Sequence, residues 1–464
     1  MSNTHSITLL NSYHIYLIVL SGLIAGVGFF DFTLFIYMSD IFDQTLFMNW
    51  LDGWRYYAKI VILFLAGYIG MPLGGFFIGR YGDIHGRKSA LSISLIGVGI
   101  FTLIASIIPL TKQLDTIIPL LLGLIRFGQG IALGGLIPTI WAFISEHLPT
   151  KHLGVGCGLI MAGSLLGSLL AFVFSANLEN ALTYDQIMLF GWRLPFLIGG
   201  SLACFLLLLV RNLPETPIFE QIHTPNYQQP KHPISSINLD DPTHQEMDIL
   251  LNRHPLEPTN GKALSFLYSI TKKYATYFLP AFILSWQIFS LFIIIAILLP
   301  QLINIGFVIK EYYLHIGAII SMFFMILGSL FYGFLTDRFN VGKIIIMGSI
   351  FLLLQVMLFF GHLKSGGEFI LVFFALLGFA SGIIASSPVV IVRIFPAKIR
   401  LSGVALTINT AFALMGSLLP FFLNYTTFSW RLTPALYLTF VILVTIFISF
   451  HIYYLPNTET DMQR

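Results

Sequence analysis

Two charged residues, Asp31 and Arg126, stand inside stretches of sequence that are otherwise apolar. A carboxylate beside a guanidinium is stabilised as the anion, whereas in a dry surrounding without that partner the protonated acid is favoured. A pair that can be brought together and separated is thus a device for loading and releasing a proton. The competing reading is a static buried ion pair that fixes packing. Charges this deep in apolar sequence are costly and are seldom kept without function, which favours proton handling. Other side chains that could meet a ligand nearby are Trp141, Trp286, Gln287 and Asn409. An indole face attracts a cation, and an amide both donates and accepts hydrogen bonds. For these four, ordinary packing between helices is the alternative. A single central base neutralises a di- or tricarboxylate poorly. A zwitterion fits better, with its carboxylate on Arg126 and its ammonium group on Trp286 or Trp141.

A second constellation runs from Gly79 to Lys88 and packs an acid, glycines and three bases into ten residues between two apolar runs. Gly79 and Gly86 allow close helix approach and a tight reversal. Asp83 suits the exposed N–H groups of a helix N-terminus. Arg87 and Lys88 hold the turn on the cytoplasmic side of a membrane.

The elements that position these residues follow from composition. Of 464 residues, 56% are hydrophobic and only 10% are charged. A soluble domain carries about 25% charged residues, so the chain reads as an all-α polytopic membrane protein. A spanning helix needs about 20 apolar residues. That rule gives twelve spans: 14–42, 58–80, 88–109, 117–146, 153–177, 192–213, 275–300, 313–335, 343–363, 367–392, 402–424 and 432–455. Sixteen Lys and Arg residues fall on one side of these spans and seven on the other, which sets both termini and the long central segment in the cytoplasm. The net charge of +3 is too small and scattered for nucleic acid. Cys157 and Cys204 lie in apolar runs and suggest neither a disulfide nor a metal site. The helices contain no metal-ligand cluster and no nucleophile–base spacing, so an enzyme is not expected, and no cofactor beyond a proton gradient is implied.

Residues 1–213 read as one six-helix bundle, 214–274 as a linker, and 275–464 as a second bundle with a short tail. The linker is rich in Pro, His, Asn and Gln between Thr224 and Gly261. The two bundles echo each other. Gly333 to Arg338 repeats the Gly79 motif 254 residues later, and Trp192-Arg193-Leu194-Pro195 recurs as Trp430-Arg431-Leu432-Thr433-Pro434. Echoes in one order point to duplication of a six-helix unit, a recurring transporter plan.

The pattern G-x-x-x-D-x-x-G-R-K at 79–88 resembles the loop between helices 2 and 3 of the major facilitator superfamily. Further motifs are similar to its metabolite:proton symporters, the group of proline/betaine, α-ketoglutarate, citrate and shikimate transporters. These are Phe29-Phe30-Asp31-Phe32, Arg126-Phe127-Gly128-Gln129-Gly130 with Gly134-Gly135, Glu146-His147-Leu148-Pro149, Gly191 to Phe196, Glu215-Thr216-Pro217, and Phe395-Pro396 with Arg400 and Gly403. The resemblance implies proton-coupled uptake across an inner or plasma membrane by a monomer. It also implies a cytoplasmic latch joining Arg87, Glu146 and Asp83. Asp337 with Arg393, beside Arg338, would be the counterpart in the second bundle. Two carboxylates usual in this group are missing: Gly28 and Leu136 stand at their positions. The function expected is therefore a secondary transporter of a small polar metabolite. A proton-coupled exporter or antiporter and a non-transporting nutrient sensor are the alternatives.

Overall fold

The computed structural model describes residues 10–39, 41–42, 65–108, 117–223, 275–364 and 369–454. The described residues are helical with connecting turns, and none of them lies in a strand. The first six long helices are α1 (Ser12–Tyr37), α2 (Ala66–His85), α3 (Arg87–Ser106), α4 (Ile117–His147), α5 (Leu153–Ala181) and α6 (Leu194–Arg211). The next is α7 (Ala275–Leu291), which continues through a π-helical segment, Phe292–Leu298, into Leu299–Gly306. It is followed by α8 (Glu311–Arg338), α9 (Val341–Lys364) and α10 (Ile370–Ser381), the last continuing through Gly382–Ser386 into Ser387–Ile394. The series ends with α11 (Arg400–Ser429) and α12 (Thr433–Tyr454). Eleven of these are long and apolar enough to cross a membrane. The twelfth is α2, and the beginning of its expected span, 58–64, lies outside the described residues. So does the Thr224–Gly261 stretch of the linker. Large apolar side chains such as Leu23, Phe77, Phe205, Met347 and Phe447 are exposed on the outer surface, as lipid contact requires.

The reversal at 79–88 is tighter than a ten-residue polar turn. Helix α2 continues to His85, Gly86 alone breaks it with φ 108°, and α3 starts at Arg87. Only glycine adopts that backbone conformation without a steric penalty.

Helices in lipid associate by close packing, which small residues permit. Helix α4 lies so near α2 that a Cβ on Gly130 would collide with the Gly67 carbonyl. Helix α5 meets α1 in the same way at Gly167 and Gly26. The first six helices meet the last six along two lines, α2 against α11 and α5 against α8. These lines are counterparts under the 254-residue echo, because α8 repeats α2 and α11 repeats α5.

Candidate functional site

Asp31 sits in the C-terminal half of α1 and is 2% exposed. It does not form a direct ion pair with Arg126. Both of its oxygens accept from the Gln129 side-chain amide, at 3.1 and 3.0 Å. The same amide nitrogen is 3.3 Å from the Thr102 hydroxyl of α3. Its oxygen, Gln129 Oε1, accepts from Arg126 Nη1 at 3.4 Å. Arg126 also donates to the Phe32 carbonyl at 3.3 Å. Its guanidinium lies 4.5 Å from the ring centroids of both Phe32 and Phe35. Gln129 is one helical turn beyond Arg126, so both side chains leave the same face of α4 toward α1. That spacing, inside an apolar run, was the available sequence signal for Gln129.

The two missing carboxylates occupy one place. A Cβ on Gly28 would lie 2.8 Å from the Leu136 side chain and 3.0 Å from that of Leu133. Leu136 is wholly buried and fills the space that Gly28 leaves open. Where the resembling group carries two acids, this chain carries an apolar knob in a glycine hole.

Beside the charges, aromatic rings from three helices, α1, α2 and α7 with its π-helical continuation, converge on Phe412 of α11. Phe289 stacks on it at 4.1 Å, and Tyr68, Phe32, Phe29 and Phe292 stand 5.4, 5.9, 6.0 and 6.3 Å away. Trp286 is elsewhere. Its indole donates to the Tyr437 hydroxyl at 2.8 Å and packs on Phe440 of α12, which is the packing alternative rather than a ligand face. Gln287 is buried and donates weakly to Ser349 at 3.4 Å, while its oxygen has no hydrogen-bond partner. Trp141 is 1% exposed and its indole nitrogen is also unpartnered. Asn409 joins the two sets of helices, donating to the Gly134 carbonyl at 2.7 Å.

At the end of the bundle that holds the Gly86 turn, buried charges tie the two sets of helices together. Glu146 meets Arg87 at 3.0 Å and Arg400 at 3.0 Å, and accepts from the Thr216 hydroxyl at 2.6 Å. Asp83 lies 3.5 Å from Arg87. It accepts from the backbone N–H groups of Leu401 and Ser402 at 3.1 and 2.9 Å, and from the Ser402 hydroxyl at 2.6 Å. Arg87 donates to the Ala397 carbonyl at 2.5 Å. Helix α11 has no side-chain cap of its own, since Ile399 precedes it, and Asp83 supplies one from α2. Gly79 abuts α11 just beneath, where a Cβ would stand 3.2 Å from that of Ala405.

The second bundle repeats this capping but not the expected ion pair. Asp337 accepts from the N–H groups of Gly154 and Val155 at 2.5 and 2.8 Å, and so caps α5. Arg393 does not bond to it and donates instead to the Thr150 carbonyl at 2.9 Å. Arg338 lies 4.1 Å from the Phe334 ring and takes no part in an Asp337 latch. A helix N-terminus satisfies the carboxylate, so a cation is not required. The Lys88 backbone, like that of Arg87, is held by Glu215, a residue not singled out as part of the latch: its carboxylate accepts from both N–H groups at 2.8 to 3.1 Å. Burial pushes the Glu215 carboxyl above its ordinary range, while backbone donors of Thr216, Lys88 and Arg87 oppose that. At the opposite end Tyr37 of α1 donates to the Ala296 carbonyl in the π-helical segment at 3.1 Å.

The family model for "Sugar (and other) transporter" matches residues 38–460. The "Inner membrane metabolite transport protein YhjE" of Escherichia coli (strain K12) is 26% identical over 400 residues, covering 85% of this chain and 84% of that protein. A "Putative proline/betaine transporter" of Staphylococcus aureus (strain COL) is 33% identical over 208 residues, which is 44% of each chain. Among solved structures, the proton:xylose symporter XylE bound to 6-bromo-6-deoxy-D-glucose superimposes with a TM-score of 0.72 at 16% identity, covering 96% of both chains. The human organic anion transporter MFSD10 does so with a TM-score of 0.61 at 15% identity. That breadth of cargo on one fold locates specificity in the side chains rather than in the architecture. The helix order, the paired helix caps and the match over 38–460 agree: this chain is a multi-pass membrane transporter of the sugar (and other) transporter family, in the major facilitator superfamily.

Proposed function

We propose that the protein imports a small zwitterionic metabolite, of the amino acid or betaine kind, together with protons. The observation that carries this reading is a wholly buried acid, Asp31, linked through a neutral amide to a buried Arg126 beside an aromatic cluster shared by both sets of helices. Arg126 supplies a site for a carboxylate. The rings of Phe29, Phe32, Tyr68, Phe289, Phe292 and Phe412 supply faces for an ammonium group, in place of Trp286 and Trp141. The proline/betaine transporters among the relatives support this class of solute.

In this mechanism 1–213 and 275–464 rock against each other about the central site, joined by 214–274 and working as a monomer. Both termini and the latch face the cytoplasm of an inner or plasma membrane, as the Lys and Arg distribution implies. The latch contacts at one end and the Tyr37–Ala296 contact toward the other support reading the arrangement as an occluded state between outward- and inward-facing forms. Loading Asp31 and the solute from outside, followed by opening of the latch, completes import.

The test is uptake into vesicles under an imposed inward proton gradient, with labelled glycine, sarcosine, dimethylglycine, glycine betaine, proline and dicarboxylates. Wild type is expected to accumulate a zwitterion, and Asp31→Asn only to equilibrate it. Accumulation of dicarboxylates alone would refute the solute class, and equal accumulation by both proteins would refute Asp31 as the coupling acid.

A further inference from the structure

The amide of Gln129 can hydrogen-bond in only one orientation as it stands. Arg126 offers donors alone, so the end of the amide that faces it must be the oxygen. The NH2 end then faces Asp31, where both carboxylate oxygens accept from it, the arrangement that an ionised, acceptor-only acid fits best. A proton on Asp31 changes this. One oxygen becomes an O–H donor, and the acceptors within reach are the Thr102 hydroxyl and, once the amide reverses, the Gln129 oxygen.

We propose that Gln129 is a reversible relay whose amide turns over when Asp31 is protonated, so that proton loading changes what Arg126 can bind. With the amide reversed, Oε1 accepts from the Asp31 O–H and the NH2 group faces the guanidinium. Two donors cannot bond, so Arg126 gives up Gln129 and directs that N–H to the carboxylate of the solute. The proton arrives first and frees the anion site. Release of the proton turns the amide back and competes the solute carboxylate off. Gln129 is a positioning residue in this scheme, and the inference rests on Asp31 being the proton site.

Among the described residues the groups that face Asp31 are few. Helix α4 brings Arg126 and Gln129, and α3 brings Thr102. Tyr68 of α2 packs edge-on against the Phe32 ring at 5.1 Å and lies within electrostatic reach of Arg126. Helix α6 meets this part of α1 through Phe196 against Phe35 and Gly199 against Phe30, and α5 meets α1 at Gly163 and Gly167. Among the described residues in these contacts Arg126 is the charged one. A through-space field from Arg126 and a relay through Gln129 therefore make different predictions.

The experiment uses the full chain in lipid nanodiscs and needs no solute. The infrared carbonyl stretch of protonated Asp31, identified by its loss in Asp31→Asn, is titrated in wild type, Arg126→Gln, Gln129→Leu and the double variant. Gln129→Met repeats the cycle should the Leu variant unfold. With a relay, Arg126→Gln moves the wild-type midpoint by about one pH unit, a tenfold change, and moves it by less than about a third of that once Gln129 is gone. Equal shifts in the two backgrounds would overturn the relay and leave Asp31 as the proton site. Absence of a titrating Asp31 band would overturn both.

Discussion

A carboxylate buried between membrane helices must find donors, and for Asp31 the donor is the Gln129 amide rather than a guanidinium. A neutral partner holds the charge without neutralising it, and a group held in this way can change its protonation more readily than one locked in a buried ion pair. The same economy of charge explains the Gly28–Leu136 contact. At the two positions where the resemblance implies acids, a glycine hole is filled by a leucine knob, so neither ionisable group is present and the space is packed. The two positions should therefore be coupled. Gly28→Glu alone is expected to destabilise the protein by about 1–3 kcal/mol through overpacking against Leu136. Adding Leu136→Ala should recover part of that loss. Thermal unfolding of the two single variants and the double variant measures this, and strict additivity would refute the contact.

Helices in this protein end where another helix needs something. Helix α2 ends at Gly86, and the acid one turn earlier, Asp83, caps α11; Asp337 near the end of α8 caps α5. Neither capped helix carries a side-chain cap of its own, so each N-terminus stays satisfied only while the two sets of helices are together at this end. Asp83→Asn leaves one acceptor oxygen for two N–H groups and a hydroxyl. It is expected to weaken the closed latch by about 1–3 kcal/mol. Close packing is the other property of elements. Gly130→Val drives a side chain into the Gly67 carbonyl, with backbone on both sides and no flexible neighbour to yield. The expected result is loss of a monodisperse folded protein in size-exclusion chromatography, whereas a change on the exposed face at Phe77 should leave the profile unaltered.

For the whole molecule the proposed cycle makes the two ends alternatives. The closed latch buries Glu146 between Arg87 from the first set of helices and Arg400 from the second, with Asp83 as the second acid, 3.5 Å from Arg87. Removing the charge of Glu146, the acid that bridges both arginines, costs about 3–5 kcal/mol, and every 1.4 kcal/mol is about a tenfold change in an equilibrium. Glu146→Gln should therefore open the latch end. With Cys157 and Cys204 removed and Ala405→Cys introduced under the latch, labelling by an impermeant maleimide from that side is expected to speed up at least about tenfold. Asp83→Asn should act in the same direction with a smaller effect. Unchanged labelling in Glu146→Gln would mean that the aromatic cluster around Phe412, and not the latch, holds this end shut.

The membrane class, the twelve helices and the repeated Gly-Asp-Arg turns follow from the sequence by itself, because lipid forces each span to be a long apolar helix that satisfies its own backbone. The types of Asp31, Arg126, Asp83 and Glu146 likewise announce buried charge chemistry, since such residues are costly at depth. What the sequence could not decide is who meets whom. A helical period says which face a side chain leaves by and not which neighbour stands opposite. Hence the insertion of Gln129 between Asp31 and Arg126, the capping of α11 and α5 in trans, the withdrawal of Trp286 to Tyr437 and the convergence of rings on Phe412 appear only once the helices are packed. Those contacts join residues up to 319 positions apart in the chain, and only tertiary packing brings such positions to hydrogen-bonding distance.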